Sequence, residues 1–518
     1  MFVLTKIVGY FTLSNVFYGL CAYAAWEIFY AFYLSPVRNV PGSFWTRISK
    51  IPMLIADMRG MGREFMLWNY EKYGEVFLME PTTIAVCDPD DSITILGSHA
   101  YVKDKKYANV DFIEPNVFLT RDPILNKQRR RQIGPALSAS NLVKMEDVIL
   151  AAGAKQLLAK WDKQLAKSDG GKAVICYHYD FVLLSFDIIG TLGFGQTHRS
   201  LTSGDRQITH WVKQALELMF FQFAAKPLAK SWIFKNTIGK PLHHDVNEFI
   251  EFTSRAIEER KTLLAAKTAK NSEKPNDILQ SFIDAQDSES KLHMTSSQVV
   301  TETIINMLAA SDTSSHTLSF TIHLLLMHPQ YLRQATEETR SVFERSHVIT
   351  YAEALKNLPF LEACMYESMR LLPVSSNLPR CIPRGGIVVQ GHFIPEDYTC
   401  TVSAVCYNVN ERIWGHQPLT YNPQRFLENS TLKKRIMTFS MGVRGCPGRH
   451  LALMEVLTTL ANIVNAYDLK IPEDSLFTPD RVDKKTGIPF FMPGMSGITY
   501  VPRFPDRDCN VVVSRRAD

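Results

Sequence analysis

Between Lys6 and Glu27 the chain carries 20 consecutive uncharged residues, most of them apolar or aromatic. As a helix they rise roughly 30 Å, the thickness of a bilayer's hydrocarbon core. Ala22-Tyr23-Ala24 has the spacing of a signal-cleavage site, but the apolar run continues through Ala25 and Trp26. Phe29, Tyr30, Phe32 and Tyr33 then follow Glu27 as an interfacial belt, which favours retention over cleavage. Lys6 stands alone before the belt, whereas Arg38, Arg47 and Lys50 come after it, so the positive-inside bias puts the main body of the chain on the cytosolic side. The alternative is an uncleaved hairpin lying in one leaflet. Residues 1–35 are thus read as a single N-terminal transmembrane anchor and 36–518 as one body, with Pro36, Pro41 and Gly42 making a stiff exit between them.

Period-two patterning is confined to short stretches. Tyr73 to Cys87 predicts a small sheet, Val76–Met79 before Pro81 and Thr83–Cys87 after it. Elsewhere helical periodicity prevails, giving a mainly α fold with small β-sheets. Polar sequence from Thr268 to Pro275 and from Asp284 to Lys291 reads as surface connections around a short helix. Thr295 or Ser296 caps a helix that Pro329 stops after His328, about 33 residues or roughly 50 Å long. Such a length suits a strut through the middle of a large helical domain. Its centre changes character at Ser311-Asp312-Thr313-Ser314-Ser315, where the flanking Met307, Leu308, Leu318 and Phe320 predict burial. Hydroxyls bonding back to i−4 carbonyls would loosen the ladder and open a polar notch, while a solvent-facing stripe is the plainer alternative.

Composition narrows the function. Lys plus Arg total 57 against 52 Asp plus Glu, a formal charge of +5 on 518 residues, too dilute for a nucleic-acid footprint. Nine scattered cysteines, an odd number, fit a reducing compartment better than a disulfide scaffold.

The densest chemistry lies in Phe439-Ser440-Met441-Gly442-Val443-Arg444-Gly445-Cys446-Pro447-Gly448. Glycines on both sides let the backbone approach a flat ligand and expose one sulfur, Arg444 adds positive charge, and a helix begun at Pro447 would point its N-terminus at a thiolate. A lone cysteine cannot make a tetrahedral zinc site, and no CxxC is present. An inert buried cysteine in a glycine-rich loop satisfies the same pattern.

This segment resembles the haem-binding loop of the cytochrome P450 family, through Phe439, Gly442, Arg444, Cys446 and Gly448, with Ala452 and Glu455 continuing the likeness. The resemblance implies haem b with Cys446 as axial thiolate, Arg444 on a propionate, and Phe439 beside the sulfur. A thiolate ligand favours oxygen–oxygen cleavage. Pro447 has no N–H to offer the sulfur, so its hydrogen bonds must come from later backbone groups.

Other segments extend the likeness. Glu367 and Arg370, three apart on a helical segment from Tyr351 to Leu371, match the family's Glu-x-x-Arg pair, and Arg425 fits its third member; together they imply a buried structural network. Ala309-Ala310-Ser311-Asp312-Thr313 resembles the oxygen-activation segment, with Ala310 in place of the usual glycine, which implies a tighter notch. Thr313 is then the hydroxyl beside bound oxygen and Asp312 the acid linking it to water. Asn126 and Arg130 fall where the family has His or Trp followed by Arg; only Arg130 carries over as a propionate contact, joined by Arg380. Lys127, Arg129 and Arg131 are read as an exposed basic face for an acidic electron donor. For the substrate pocket the resemblance nominates Phe112, Phe118, Val374, Ser375, Ser376, Asn377, Met492 and Met495, and it leaves the 409–426 segment as a brace.

The whole resembles a microsomal, fungal cytochrome P450. That implies a cytochrome P450 fold behind one transmembrane helix, endoplasmic-reticulum membrane, O2, electrons from an NADPH-dependent flavoprotein reductase with cytochrome b5 as a further donor, and oxidation of a hydrophobic metabolite of specialised metabolism. A membrane-tethered haem sensor or carrier, or a haem-thiolate isomerase or dehydratase, are the alternatives. The acid and hydroxyl at Asp312 and Thr313 argue against a carrier, which needs no proton relay.

Overall fold

Thr295 accepts the N–H of Gln298 while the Gln298 side chain returns to the Thr295 N–H, and from this capping box the longest described helix runs from Ser296 to Met327. His328 leaves helical geometry ahead of Pro329, as a residue before proline is biased to do. The computed structural model of the chain describes residues 13–110, 113–195, 199–204, 206–268 and 275–517. Along the described chain α1 is Leu13–Phe29, α2 Pro123–Ile133, α3 Tyr177–Phe194, α4 Gln207–Ala224, α5 Gly239–Thr268, α6 the central Ser296–Met327, α7 Pro359–Leu371 and α8 Arg449–Ala466. Helix α6 packs against α3, α5, α7 and α8, and its buried apolar residues join theirs in one large core. Its length therefore comes from tertiary burial more than from intrinsic propensity.

Strands β1 (Val76–Glu80), β2 (Thr83–Val86), β4 (Asn377–Cys381) and β5 (Thr399–Ser403) form a sheet in the order β1-β2-β5-β4. Only the β2–β5 pairing is parallel, with Ile84 opposite Cys400, and Arg380 in β4 is also opposite Cys400. This sheet has its own core, with Leu78, Ile84, Val86 and Val402. A second sheet joins β3 (Lys172–Cys176), β6 (Tyr467–Lys470) and β9 (Asn510–Arg515) in the order β3-β9-β6, and β7 (Gly494–Ser496) pairs with β8 (Tyr500–Pro502). The mainly helical fold with small sheets agrees with the sequence reading.

Three local expectations need revision. The segment from Tyr351 to Leu371 is two helices, Tyr351–Asn357 and α7, because Leu358 takes an extended-side conformation (φ −123°, ψ 54°) before Pro359 opens the second. Helix α8 begins at Arg449, with Gly448 as N-cap, two residues after Pro447. The centre of α6 stays helical throughout: Ser311 and Thr313 donate to the carbonyls of Met307 and Ala309 at 3.0 and 2.8 Å, and no break results. Ala310, lacking glycine's backbone freedom, keeps that turn regular.

Helix α1 continues as a π turn, Tyr30–Leu34, and exposes Phe17, Tyr18, Leu20, Tyr23 and Trp26. The first part of the expected span, residues 7–12, lies outside the described residues. Among the described residues no helix is long and apolar enough to cross a membrane.

Beside the core, the Arg370 Nε and Nη2 donate to the two Glu367 oxygens at 2.7 and 2.8 Å, both side chains fully buried. The remaining Arg370 donors go to the carbonyls of Asn408, Pro418 and Thr420, and Glu367 also accepts the Asn422 N–H. Arg425 approaches Glu367 at 3.5 Å but places its hydrogen bonds on the Trp414 and Gln417 carbonyls. The pair thus pins the irregular 408–425 segment onto α7. Removing one partner strands the other without solvent, at a cost of about 3–5 kcal/mol. Glu367→Ala is expected to lower the thermal midpoint sharply and to cut the yield of folded protein, whereas Arg425→Ala, whose contacts are weaker, loses less; thermal denaturation of the three proteins checks the order.

Candidate functional site: a sulfur loop within a cluster of cations

Met437–Phe439 forms one 3-10 turn and Gly442–Arg444 another. The Cys446 N–H donates to the Phe439 carbonyl at 2.9 Å and the Gly445 N–H to the Gly442 carbonyl at 3.1 Å, so the loop is closed on itself ahead of α8. Gly442 has φ +66°, and a Cβ there would overlap the Leu96 carbonyl, so the loop's approach to that backbone requires glycine. The Cys446 side chain is accessible and borders a cleft with Arg130, Pro447, Arg449 and His450. Surrounding protein pushes its thiol up; the Gly448 N–H, Arg130 and Arg449 act in the opposite direction and favour a thiolate. Gly448 thus supplies the backbone donor that Pro447 cannot.

Around this loop the structure gathers positive charge. Arg130 on α2 donates to the Gly445 carbonyl at 2.7 Å, and Arg444 to the Thr120 carbonyl at 3.0 Å. Arg380 is buried in β4, and Lys103 forms a single bridge with it. The Lys103 ammonium donates to the Phe118 carbonyl and lies over the Tyr107 and Phe118 rings, 4.3 and 4.2 Å from their centroids. Desolvation depresses all four, and repulsion adds to it at two: Arg444 falls to about 10 through desolvation and its neighbours Arg380 and Arg130, and Lys103 falls far below its ordinary value through desolvation and the three arginines. Desolvation also lowers Arg130 and Arg380. Among the described residues none of the four makes an ion pair, and Asp122 is the one carboxylate that acts on Arg444. Buried like charges require counter-anions. A dianionic ligand with a soft-donor metal facing the sulfur fits this donor set, and a haem with its two propionates is such a ligand.

Lys103 carries no motif, and sequence reasoning does not single it out; its β-bridge to Arg380, joining positions far apart in the chain, is what reveals it. Asn126 is buried, its Nδ2 donating to the Val117 carbonyl at 2.9 Å. Arg129 does not belong to an exposed basic face: it is buried, 3.6 Å from Glu302 of α6, because α2 turns that side inward. Arg131 pairs with Asp287 and Glu289, so Lys127 is the exposed cation of that run.

Helix α6 is buried along most of its length, but Asn306, Ala309, Ala310, Asp312 and Thr313 are accessible. Asn306, Ala309, Ala310 and Thr313 follow the i, i+3, i+4, i+7 spacing of one face. Thr313 presents its hydroxyl already bonded to the Ala309 carbonyl. The Asp312 carboxyl has no hydrogen-bonding partner among the described residues, and burial alone pushes it up to about 6. Phe439, on the other side of the site, stacks below Arg449 at 5.4 Å.

The nominated pocket residues divide. Phe118 is partly buried, edge-on to Tyr107 at 5.8 Å. Ser375, Ser376 and Asn377 are half-buried, and the Asn377 Oδ1 is buried without a partner. Val374 is buried, its carbonyl accepting the Tyr500 N–H at 2.8 Å. Met492 is a core residue, 2% exposed, its sulfur 3.6 Å from that of Cys509 and its N–H donating to His323. Met495 is exposed and covers Gly60. Phe112 lies outside the described residues.

Comparison with known proteins agrees with this arrangement. The family pattern Cytochrome P450 matches residues 41–488. Cytochrome P450 monooxygenase helB1 of Aspergillus fumigatus is 35% identical, over 97% of this chain and 86% of its own length. The helB2 protein of the same fungus is 36% identical, over 95% and 97% respectively, and monooxygenase atr2 of Stereocaulon alpinum is 27% identical, over 89% and 92%. With the family match spanning most of the chain and fungal relatives aligned almost end to end, the protein belongs to the cytochrome P450 family, haem monooxygenases with cysteine-thiolate iron that draw electrons from a redox partner and act on hydrophobic substrates.

Proposed function

We propose that this chain is a membrane-attached fungal monooxygenase that takes NADPH-derived electrons from a flavoprotein reductase and oxidises a hydrophobic metabolite of specialised metabolism. The observation that carries the reading is the unpaired cluster of Lys103, Arg130, Arg380 and Arg444 around the Cys446 loop. Cys446 would hold the iron of a bound haem, and Lys103, Arg130, Arg380 and Arg444 would hold its propionates. When bound, the haem supplies oxygen activation and the thiolate favours oxygen–oxygen cleavage. The chain supplies the rest. The Gly448 N–H steadies the sulfur's charge, the closed 437–446 loop fixes its position, and Glu367 with Arg370 hold the segment that braces it. On the other side the accessible face of α6 receives the substrate, with Asp312 exchanging protons with water and Thr313 orienting the last hydrogen bond.

Several features support the finer parts. The cleft beside Cys446 is lined by Arg130, Arg449 and His450, a basic surface suited to an acidic electron donor, reductase or cytochrome b5. The exposed aromatic and aliphatic side chains of α1, ahead of Arg38, Arg47 and Lys50, support single attachment to the endoplasmic-reticulum membrane with the body in the cytosol. Ser375, Ser376 and Asn377 among apolar neighbours suit a substrate that is mostly hydrocarbon with a few oxygen atoms. Several similar monooxygenases in one Aspergillus strain fit a family diversified over specialised metabolites.

Expression with a donor reductase, followed by product analysis against terpenoid and polyketide libraries, tests the activity. Cys446→Ala is expected to abolish turnover and the thiolate-specific band of the reduced carbon-monoxide complex; a folded variant that keeps the band refutes the ligand assignment. Lys103→Met is expected to raise the thermal midpoint of the haem-free protein, by relieving repulsion, while speeding haem loss severalfold; unchanged haem release removes Lys103 from the propionate site. For Thr313→Ala, ligand binding is expected to stay near normal while product formed per NADPH falls and hydrogen peroxide rises, and equal coupling in Thr313→Ala and wild type leaves Thr313 a helix residue only.

A further inference from the structure

A second acid lies on the same face of α6 as Thr313. Glu302, Asn306, Ala309 and Thr313 fall, at 100° per residue, within an arc of about 60°, and Glu302 precedes Thr313 by roughly 16 Å of helix. Glu302 is fully buried, and its Oε1 accepts the Val117 N–H at 2.9 Å. The Val117 carbonyl in turn accepts from the Asn126 Nδ2, and Arg129 faces Glu302 at 3.6 Å, too far for a direct hydrogen bond. On the residues that adjoin or contact Val117 and Glu302, four buried side-chain atoms have no partner among the described residues: Asn116 Nδ2, Asn126 Oδ1, Arg129 Nε and Glu302 Oε2. They are two donors and two acceptors, each of which carries a desolvation penalty if left unmade. Complementary orphans at one junction are what a small group of buried waters satisfies.

The junction has two ends. Outward, the Arg129 Nη1 donates to Gln132 at 2.6 Å and the Gln132 Nε2 to the carbonyl of Leu292, a residue 58% exposed. Inward, the Asn306 Nδ2 donates to the Glu302 carbonyl at 2.7 Å, and Asn306 shares the accessible face of α6 with the small Ala309 and Thr313.

Resting on the proposed monooxygenase reading, we propose that Asn116, Asn126, Arg129 and Glu302 form a buried water site from which Glu302 passes protons along the α6 face, by way of Asn306, to Thr313. Each turnover that reduces one oxygen atom to water consumes protons. A proton leaves the Glu302 carboxyl through water to the Thr313 face, and Glu302 regains one from solvent through the Arg129–Gln132 side. Arg129 does not donate its own proton; it holds the outer water and balances the carboxylate left behind. Glu302 acts through other groups and is a positioning and relay residue, separate from Asp312. Burial raises its carboxyl to about 7, with the Val117 N–H and Arg129 opposing, so both protonation states are populated near neutrality. Arg129 is the charged group from α2 that acts on Glu302, and Glu114 acts on Arg129; the other helices packed on α6 add no charge that moves Glu302.

The test uses the haem-loaded full chain with its reductase. Glu302→Gln keeps the acceptor for Val117 but cannot titrate. Infrared difference spectra of wild type are expected to show a carboxylic-acid band that titrates near neutral pH and vanishes in Glu302→Gln, while Asp312→Asn retains it. Oxidation in Glu302→Gln is expected to slow on the order of tenfold, with a larger solvent isotope effect and loss of the rate's pH dependence near neutrality. Should Glu302→Gln fold poorly, Asn306→Val interrupts the file while leaving the Glu302–Val117 contact in place, and it is expected to keep the infrared band yet show the same rate and isotope changes. Wild-type rate, isotope effect and pH profile in the folded variants overturn the relay, as does absence of the band. If the monooxygenase reading itself fails, the thiolate carbon-monoxide band is missing from wild type as well, which separates the two outcomes.

Discussion

Charge burial without a protein counter-charge is the constraint around which this molecule is arranged. Lys103, Arg130, Arg380 and Arg444 come from a loop, a helix, a sheet and the sulfur loop, and each is depressed by desolvation. Nothing in the packing of the separate elements asks for their convergence. An ordinary core would have replaced at least some of them with apolar groups, since even well-paired buried charges are seldom worth more than the hydrophobic residues that could stand in their place. Their retention is understandable once a dianion completes them, and the binding energy of that dianion then counts as folding energy for the native state. The fold and its cofactor are in this sense one thermodynamic unit.

Holding such a cluster requires a rigid frame, and the frame uses the opposite electrostatic strategy. Glu367 and Arg370 are as deeply buried as any residue in the chain, yet every Arg370 nitrogen and both Glu367 oxygens have partners. They satisfy the carbonyls of an irregular stretch that has no sheet or helix ladder of its own. The sheet contributes as well: Arg380 lies opposite Cys400, and the bridge to Lys103 draws the loop before Tyr107 to the same edge. Saturated charge is placed where nothing binds, and unsaturated charge where the cofactor belongs.

What could be read from the sequence was what depends on short range. A cap at Thr295 or Ser296 with the stop at Pro329 places the central helix to within a residue, and the glycines around Cys446 announce a loop whose backbone comes close to another. Pro359 shows the limit, because apolar periodicity runs through it and hides the break it imposes. Arg129 fails for a different reason. Whether a residue on an amphipathic segment faces water or core depends on the neighbour that covers it, and for Arg129 that neighbour, Glu302, is distant in the chain. Lys103 likewise acquires its meaning from Arg380. Asp312 and Thr313 were legible as chemistry but not as geometry, since the hydroxyl's partner depends on whether the helix opens.

The Ala309 partner decides how Thr313 can act. With its hydroxyl hydrogen on the Ala309 carbonyl, the side chain shows only lone pairs to the accessible face, so in this conformation it accepts a hydrogen bond and does not give one. To donate, the hydroxyl must rotate away and forgo a bond whose net worth is about 0.5–1.5 kcal/mol. The regular helix at Ala310 offers no bulge to make that rotation easier, but neither does it leave the freed carbonyl without recourse, because water reaching Ala309 can take the place of the hydroxyl. The switch from acceptor to donor therefore costs little compared with a chemical barrier, provided water is present at that turn. Hydration of the α6 face, not the intrinsic strength of any one donor, then governs whether protons arrive in step with electrons. In the proposed relay Glu302 would feed that water from the buried end of α6, while Asp312, pushed up to about 6 by burial, stands beside Thr313.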